Sequence, residues 1–459
     1  MAARDALQAG AASVEITPPA GTQLAGAVGY HRPPRVALDP LQAKAVALKT
    51  DRCEICVVAI DVTIITEEWT EYIREQVYKL LGIERDAIMV HATQTHSAPP
   101  IGHFMLDPDF PELPEEFEWV RGGDEAFSKW AADRAVEAIV RAAEDTEPAE
   151  IAVASGSDGR WAANRRAVTM DGGITMVTRS WEAPSAGQTI RFIEGPTDPE
   201  VGVMALRRGT LDVPALLLHH TCHPVCVFPR PLVSADWPGA WAAQMRAILG
   251  DRCVPLVING ACGNINPADR SDHRAMGRGL AETTEMVLPR LEFSGEAILQ
   301  FRRIELPIPL RELTDDELSW AQGVLESDPE PPWDPDRPGQ LAREWIEAAS
   351  TWSVHLQRQR NPNLSYEIQV LRIGDTAIVG LPGEPFVELG LAVKMASPFR
   401  PTFIAHCTSH YVGYIPTAEA LARGGHESVT RYWAKLVPEA FEMIRGEATR
   451  LLREIAGDG

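Results

Sequence analysis

Short apolar runs, each stopped abruptly by proline, glycine or polar residues, recur from one end of the sequence to the other. Residues 12–17 (ASVEIT) predict a first strand, ended by Pro18 and Pro19; 43–50 (AKAVALKT) and 53–63 (CEICVVAIDVT) predict two more. Residues 66–81 have helical period, with Thr66 as N-cap, Glu67 and Glu68 in the first turn and Gly82 as the stop. Ile88, Met89 and Val90 then end a buried strand. Strand, helix, strand is a βαβ signal, so part of the sheet is expected to be parallel.

Further on, 104–123 is rich in proline and acid and predicts an excursion over the surface, while 124–144 predicts an amphipathic helix. Strands are expected at 150–155, at 200–206 with 213–218 as a hairpin, at 253–259, 297–308, 366–380 and 402–407. Helices are expected at 240–249, from 267 to about 289, at 386–394 and 437–455. Between 311 and 360 the composition shifts to Trp, Asp, Glu and Pro around two helical pieces, which reads as an inserted helical hairpin. The fold class is therefore α/β: a large mixed β-sheet core flanked by helices, in a single catalytic domain over 1–459 with that insertion.

Hydrophobic content of 45% and charged content of 23% suit a soluble globular enzyme. A net charge of −21 argues against nucleic acid and anionic membranes as partners, and no run has membrane-span length. No signal-peptide core opens the chain, and the seven cysteines form no regular framework, so a cytoplasmic location is expected. Cys53-Glu-Ile-Cys56 has a redox spacing but leads into VVAI, and reads as core.

At several places an apolar run ends and a turn presents groups capable of chemistry. In Ile88–Pro100 these are His91, Gln94, His96 and Ser97. Others follow at 219–223, 259–266, Glu384 and 410–414. Strand ends that share one edge of a sheet converge, so these groups are expected to form one site. Imidazole, carboxylate and phenolate together are a ligand set for zinc or a neighbouring metal. Each residue also has a structural alternative: His223 as a buried histidine bonded to a carbonyl, Glu384 as a helix cap, Tyr414 as a core aromatic.

TQTHSAP, TCHPV, SADWPG, NGACGNINP, LPGEPFVELG and GYIPTAEALARGGHE, in this order between about 12 and 430, resemble the catalytic domain of the neutral (non-lysosomal) ceramidase family. DPEVGV and ANRR also match it. The resemblance implies a large mixed α/β domain that hydrolyses an amide with a zinc-activated water. By position it implies metal ligands at His223, Glu384, Tyr414 and Gln94, the last standing where the family has histidine. It implies that His96 and Arg165 hold the tetrahedral intermediate, and that His426 stands where the family has an active-site tyrosine. Glutamine oxygen is a poorer ligand than imidazole, so weaker metal binding is expected, with Gln94 ligating, His96 or His91 replacing it, or no metal. A retained metal is expected because His223, Glu384 and Tyr414 are present. The family's carboxy-terminal domain and export signal are not expected, and His426 points to a substrate other than ceramide.

The expected function is metal-dependent hydrolysis of a C–N amide bond in a small molecule. The alternative is a metal-independent lyase, isomerase or ester/lactone hydrolase using His96 and His223. A binding protein with a decayed site ranks third.

Overall fold

The computed structural model describes residues 4–177, 189–210 and 212–457. Its mixed α/β core is built from three larger sheets. In the first, strands run in the order Ile88–Ala92, Glu54–Ile60, Gln42–Lys49, Gln8–Glu15 and Glu147–Pro148. The pair 54–60 with 88–92 is parallel and the intervening connection is the helix Glu67–Leu81, as the βαβ order predicts. That helix buries Trp69, Ile73 and Val77, one face at a spacing of four. It ends where Gly82 takes a left-handed φ of 74° and donates its N–H to the Tyr78 carbonyl. Helix Glu125–Glu144, capped by Asp124, covers the same sheet with a face of small residues including Ala131, Ala135 and Ala142. The approach is close: a Cβ at Gly10 would lie 2.1 Å from the Ala142 carbonyl oxygen.

The second sheet has the order Val254–Asn259, Asp212–His220, Glu200–Arg208, Glu150–Ser157, and helices Asp236–Leu249 and His273–Val287 cover it. The third has the order Leu299–Pro309, Asn363–Ile373, Thr376–Gly380, Thr402–Ala405, covered by Val387–Ala396 and Ala440–Gly457. Each sheet contains one parallel pair: 56–60 with 88–92, 215–220 with 254–259, and 377–380 with 402–405. The carboxyl ends of those pairs run into the residues singled out from the sequence. The fold thus delivers chemistry from three sheets to one place.

Helices Asp315–Ser327 and Arg343–Arg360 lie in the stretch read as a hairpin and pack on each other. Trp345 is buried there and donates its indole N–H to the Asp328 carbonyl at 2.9 Å. Residues 104–123 correct the expectation of a mere surface excursion. Leu106, Phe110, Leu113, Phe117 and Val120 are buried against that hairpin, in one cluster with Tyr414 and Trp433. Proline and acid dominate the local composition, but the apolar side chains between them find a partner surface about 200 residues away in sequence. Cys56, Cys222 and Cys226 are buried free thiols, Cys53 a half-buried one. Among the described residues no helix is long and apolar enough to cross a membrane.

Candidate active site

Glu384 and Tyr414 lie side by side because Glu384–Pro385 pairs in parallel with Tyr414–Ile415. Gly263 of the NGACGNINP turn presses against this bridge: it donates its N–H to the Pro385 carbonyl, and a Cβ there would lie 2.4 Å from the Glu384 carbonyl oxygen. The same turn carries the Ile265 carbonyl, which accepts from His223 at both its backbone N–H (3.1 Å) and its Nδ1 (3.0 Å). His223 Nε2 is then 3.0 Å from Glu384 Oε2. His223 and Glu384 meet, although 161 residues separate them.

Glu384 is no helix cap. Its Oε1 accepts from the Tyr411 hydroxyl at 2.9 Å, and the helix beginning at Val387 has Phe386 at its cap position. Burial pushes the Glu384 carboxyl up, but His223, Arg165 and His96 overcome this and hold it well below the usual carboxylate range. Tyr414 accepts from Arg165 Nη2 at 3.2 Å; burial, with the Glu384 charge, pushes its phenol well above the ordinary value. Arg165 is placed by the backbone pairing of 162–164 with 265–267, and its Nε is 2.9 Å from Glu427 Oε1. The neighbouring Arg166 donates to the other oxygen of Glu427 at 2.6 Å. Burial pushes that carboxyl up, but the two arginines and His426 outweigh it and leave it at about 2.

His96 alone within 91–100 is not fully buried. Its Nδ1 is 3.0 Å from the Gly26 carbonyl, which can only accept, so this nitrogen carries the proton and Nε2 keeps its lone pair. Gly26 is required here: it has φ 85°, and a Cβ would lie 2.5 Å from His96 Nδ1. Burial, then the His223 charge and Arg32, take the His96 imidazole down to about 3, so it is a neutral group. Its ring lies 5.5 Å from that of His223.

His91 does not replace Gln94. Its Nδ1 is 2.7 Å from the His406 carbonyl and its Nε2 accepts the Asn259 N–H at 3.1 Å, so both nitrogens are committed to backbone. Gln94 holds a left-handed φ of 68°, and its Oε1 is 3.5 Å from the Cys262 thiol. His426 lies at the rim, its ring 5.7 Å from Tyr414 and 5.5 Å from Trp433. Gln94, His96, Glu384, Tyr411, Tyr414 and His426 share a cavity of about 410 Å³, with His223 and Arg165 immediately behind it.

Tyr411, His406, Cys262 and Glu427 were missed from the sequence. Tyr411 and Glu427 each adjoin a stretch that was noticed, and that adjacency is the only signal they give. His406 contacts the Cys262 thiol at 3.5 Å and lies inside what reads as an ordinary strand.

A divalent metal can be tested against these groups. His223 Nδ1 carries a proton, because its partner is a carbonyl. Its Nε2 therefore faces a carboxylate oxygen at 3.0 Å, and the gap has to hold positive charge: a second imidazole proton or a cation. Donor atoms that share one zinc ion each stand about 2.0–2.2 Å from it, so this separation fits. Imidazole, carboxylate and an adjacent phenol fit as a donor set. Among the described residues no cluster of three or more His, Cys, Asp or Glu side chains is arranged to hold a metal ion; here only His223 and Glu384 are of those types.

No protein-family profile matches the chain, and no curated protein matches it. Solved structures do. Neutral ceramidase from Pseudomonas aeruginosa superposes with a TM-score of 0.69 at 16% identity, covering 98% of this chain and 75% of that one. A ceramidase complexed with C2 superposes with a TM-score of 0.70, also at 16% identity, covering 98% and 76%. At this identity the likeness is one of fold, and the chain has a neutral-ceramidase-like mixed α/β fold.

Proposed function

We propose that the chain hydrolyses a C–N amide bond in a small molecule, with a divalent metal of the zinc type held by His223, Glu384 and Tyr414. Gln94 stands beside them as a weak fourth ligand through its oxygen. The observation that carries this is the 3.0 Å approach of His223 Nε2 to Glu384 Oε2, two acceptors that call for a positive charge between them, at the back of a cavity that also presents His96. A bound metal supplies Lewis acidity and lowers the pKa of a water to about 7.

The chain's own groups divide the remaining work. His96 Nε2 faces the cavity as an unprotonated nitrogen and takes or returns a proton at the substrate. The Gly26 carbonyl fixes its tautomer. Arg165, acting through the Tyr414 hydroxyl, directs a donor to the place where negative charge develops on the carbonyl oxygen. Tyr411 and Ile265 hold Glu384 and His223 in position. His426 at the rim meets the leaving half of the substrate. The fold likeness to ceramidases supports amide hydrolysis as the reaction class.

A metal-independent lyase, isomerase or ester/lactone hydrolase is the second reading. It is favoured by the shortage of strong ligands beside His223 and Glu384, and would use His96 and a doubly protonated His223. Elemental analysis of the purified protein, with amide hydrolysis before and after chelation, separates the two. Bound metal with activity lost on chelation and restored by zinc is expected; a metal-free protein active in chelator rejects the first.

A further inference from the structure

We propose that a second chamber, adjoining the reaction cavity, receives a compact substituent of the substrate that ends in a hydrogen-bond acceptor. This rests on the amide-hydrolase reading above and adds a substrate class to it. The chamber has a volume of about 320 Å³ and shares Gly26, Phe104 and Met105 with the reaction cavity; Ala25, Ala27 and Trp119 are among its other walls.

Its walls are fixed. The strap 23–30 is tied by the Gln23 amide, which donates to the Leu24 and Tyr30 carbonyls at 3.0 and 2.8 Å and accepts the Arg32 N–H at 2.8 Å. Leu341 N–H donates to the Gly29 carbonyl, and a Cβ at Gly29 would lie 2.7 Å from Ile346. The strap is thus sealed to the helical insertion. At roughly 30 Å³ for a water-sized group, the chamber holds about ten such groups at most, too few for a long alkyl chain.

Its polarity is also defined. The Trp119 indole is held against His31 (4.9 Å) and Trp333 (6.1 Å), yet its Nε1–H is buried without a partner. Behind Ala25, the buried Arg32 guanidinium donates to the Ala25 and His96 carbonyls while its Nε and Nη1 have no partner, and among the described residues it makes no ion pair. None of the chamber's walls is acidic. A buried N–H left unmet costs about 1–3 kcal/mol, which an oxygen on the ligand recovers. Carboxylate and neutral carbonyl share this chemistry.

Calorimetric titration of the full chain with succinamide, succinamate and octanamide tests the chamber. Succinamide or succinamate is expected to bind and octanamide not. Succinamate ahead of succinamide assigns the preference to the Arg32 charge, and parity assigns it to Trp119. Ala27→Leu, which fills the space, should abolish binding, and Trp119→Phe should weaken it about tenfold. Octanamide binding as tightly as succinamide, no binding by any of the three, or unchanged affinity in either variant overturns the proposal. Ammonia release is scored separately: selective binding without ammonia rejects the hydrolase and leaves the chamber standing.

Discussion

Two histidines five residues apart divide this molecule into a wall and a working face. His91, at the end of a strand, has both ring nitrogens bonded to backbone, whereas His96, in the following loop, has one bonded and one facing the cavity. The arginines repeat the division. Arg166 is used up on Glu194, Glu427 and two carbonyls, while Arg165 reaches past Glu427 to the hydroxyl of Tyr414. Burial is nearly the same on both sides of the division. The difference is whether an atom is left over, and that remainder marks a candidate for chemistry better than residue type does.

The comparison can be broken most directly at Glu384. Glu384→Gln removes the charge facing His223 while keeping the shape, and should lower kcat/KM on the order of 10³-fold with loss of bound metal. Activity within about tenfold of the parent, measured on any hydrolysed amide, would place Glu384 in the wall. His91 belongs to stability instead. Burial takes its imidazole from 6.5 to about 4, so between those values the unfolded chain binds a proton that the native chain does not. Stability is therefore complete above about pH 6.5 and falls toward pH 4, by about 3 kcal/mol from this group. Urea midpoints against pH should show a shallower acid slope in His91→Gln, with kcat per folded molecule unchanged.

His96→Ala should lower kcat on the order of 10²-fold with little change in Tm, since the lost nitrogen faces the cavity. A falling Tm with intact kcat would reverse the assignment of the two histidines. The smallest effect is expected at Gln94: Gln94→His should tighten zinc about tenfold, read by competition with a chromogenic chelator.

The wall was read from the sequence more easily than the working face. Period and end signals gave the helix at 67–81, its Gly82 stop and the parallel strand after it, because those choices are local. The ordered motifs singled out His96, His223, Glu384 and Tyr414, and the strand ends do bring them together. The sequence did not show which nitrogen of a histidine is free. That depends on carbonyls contributed from far away, such as Gly26 for His96 and His406 for His91. Glu427 was out of reach for the same reason: its bond to Arg165 spans 262 residues. The buried character of 104–123 was hidden because its partner surface is the insertion at 311–360.

At position 94 the backbone adopts a conformation that glycine takes freely and a side chain with a Cβ resists, by about 1–2 kcal/mol. Replacing Gln94 by glycine would relieve that local tension and leave a hole beside Cys262. That the tension is tolerated singles out the carboxamide itself as the thing being displayed. The residue that departs most from the ceramidase pattern is therefore held on purpose-shaped backbone, and any redesign of this protein's selectivity has its natural handle there.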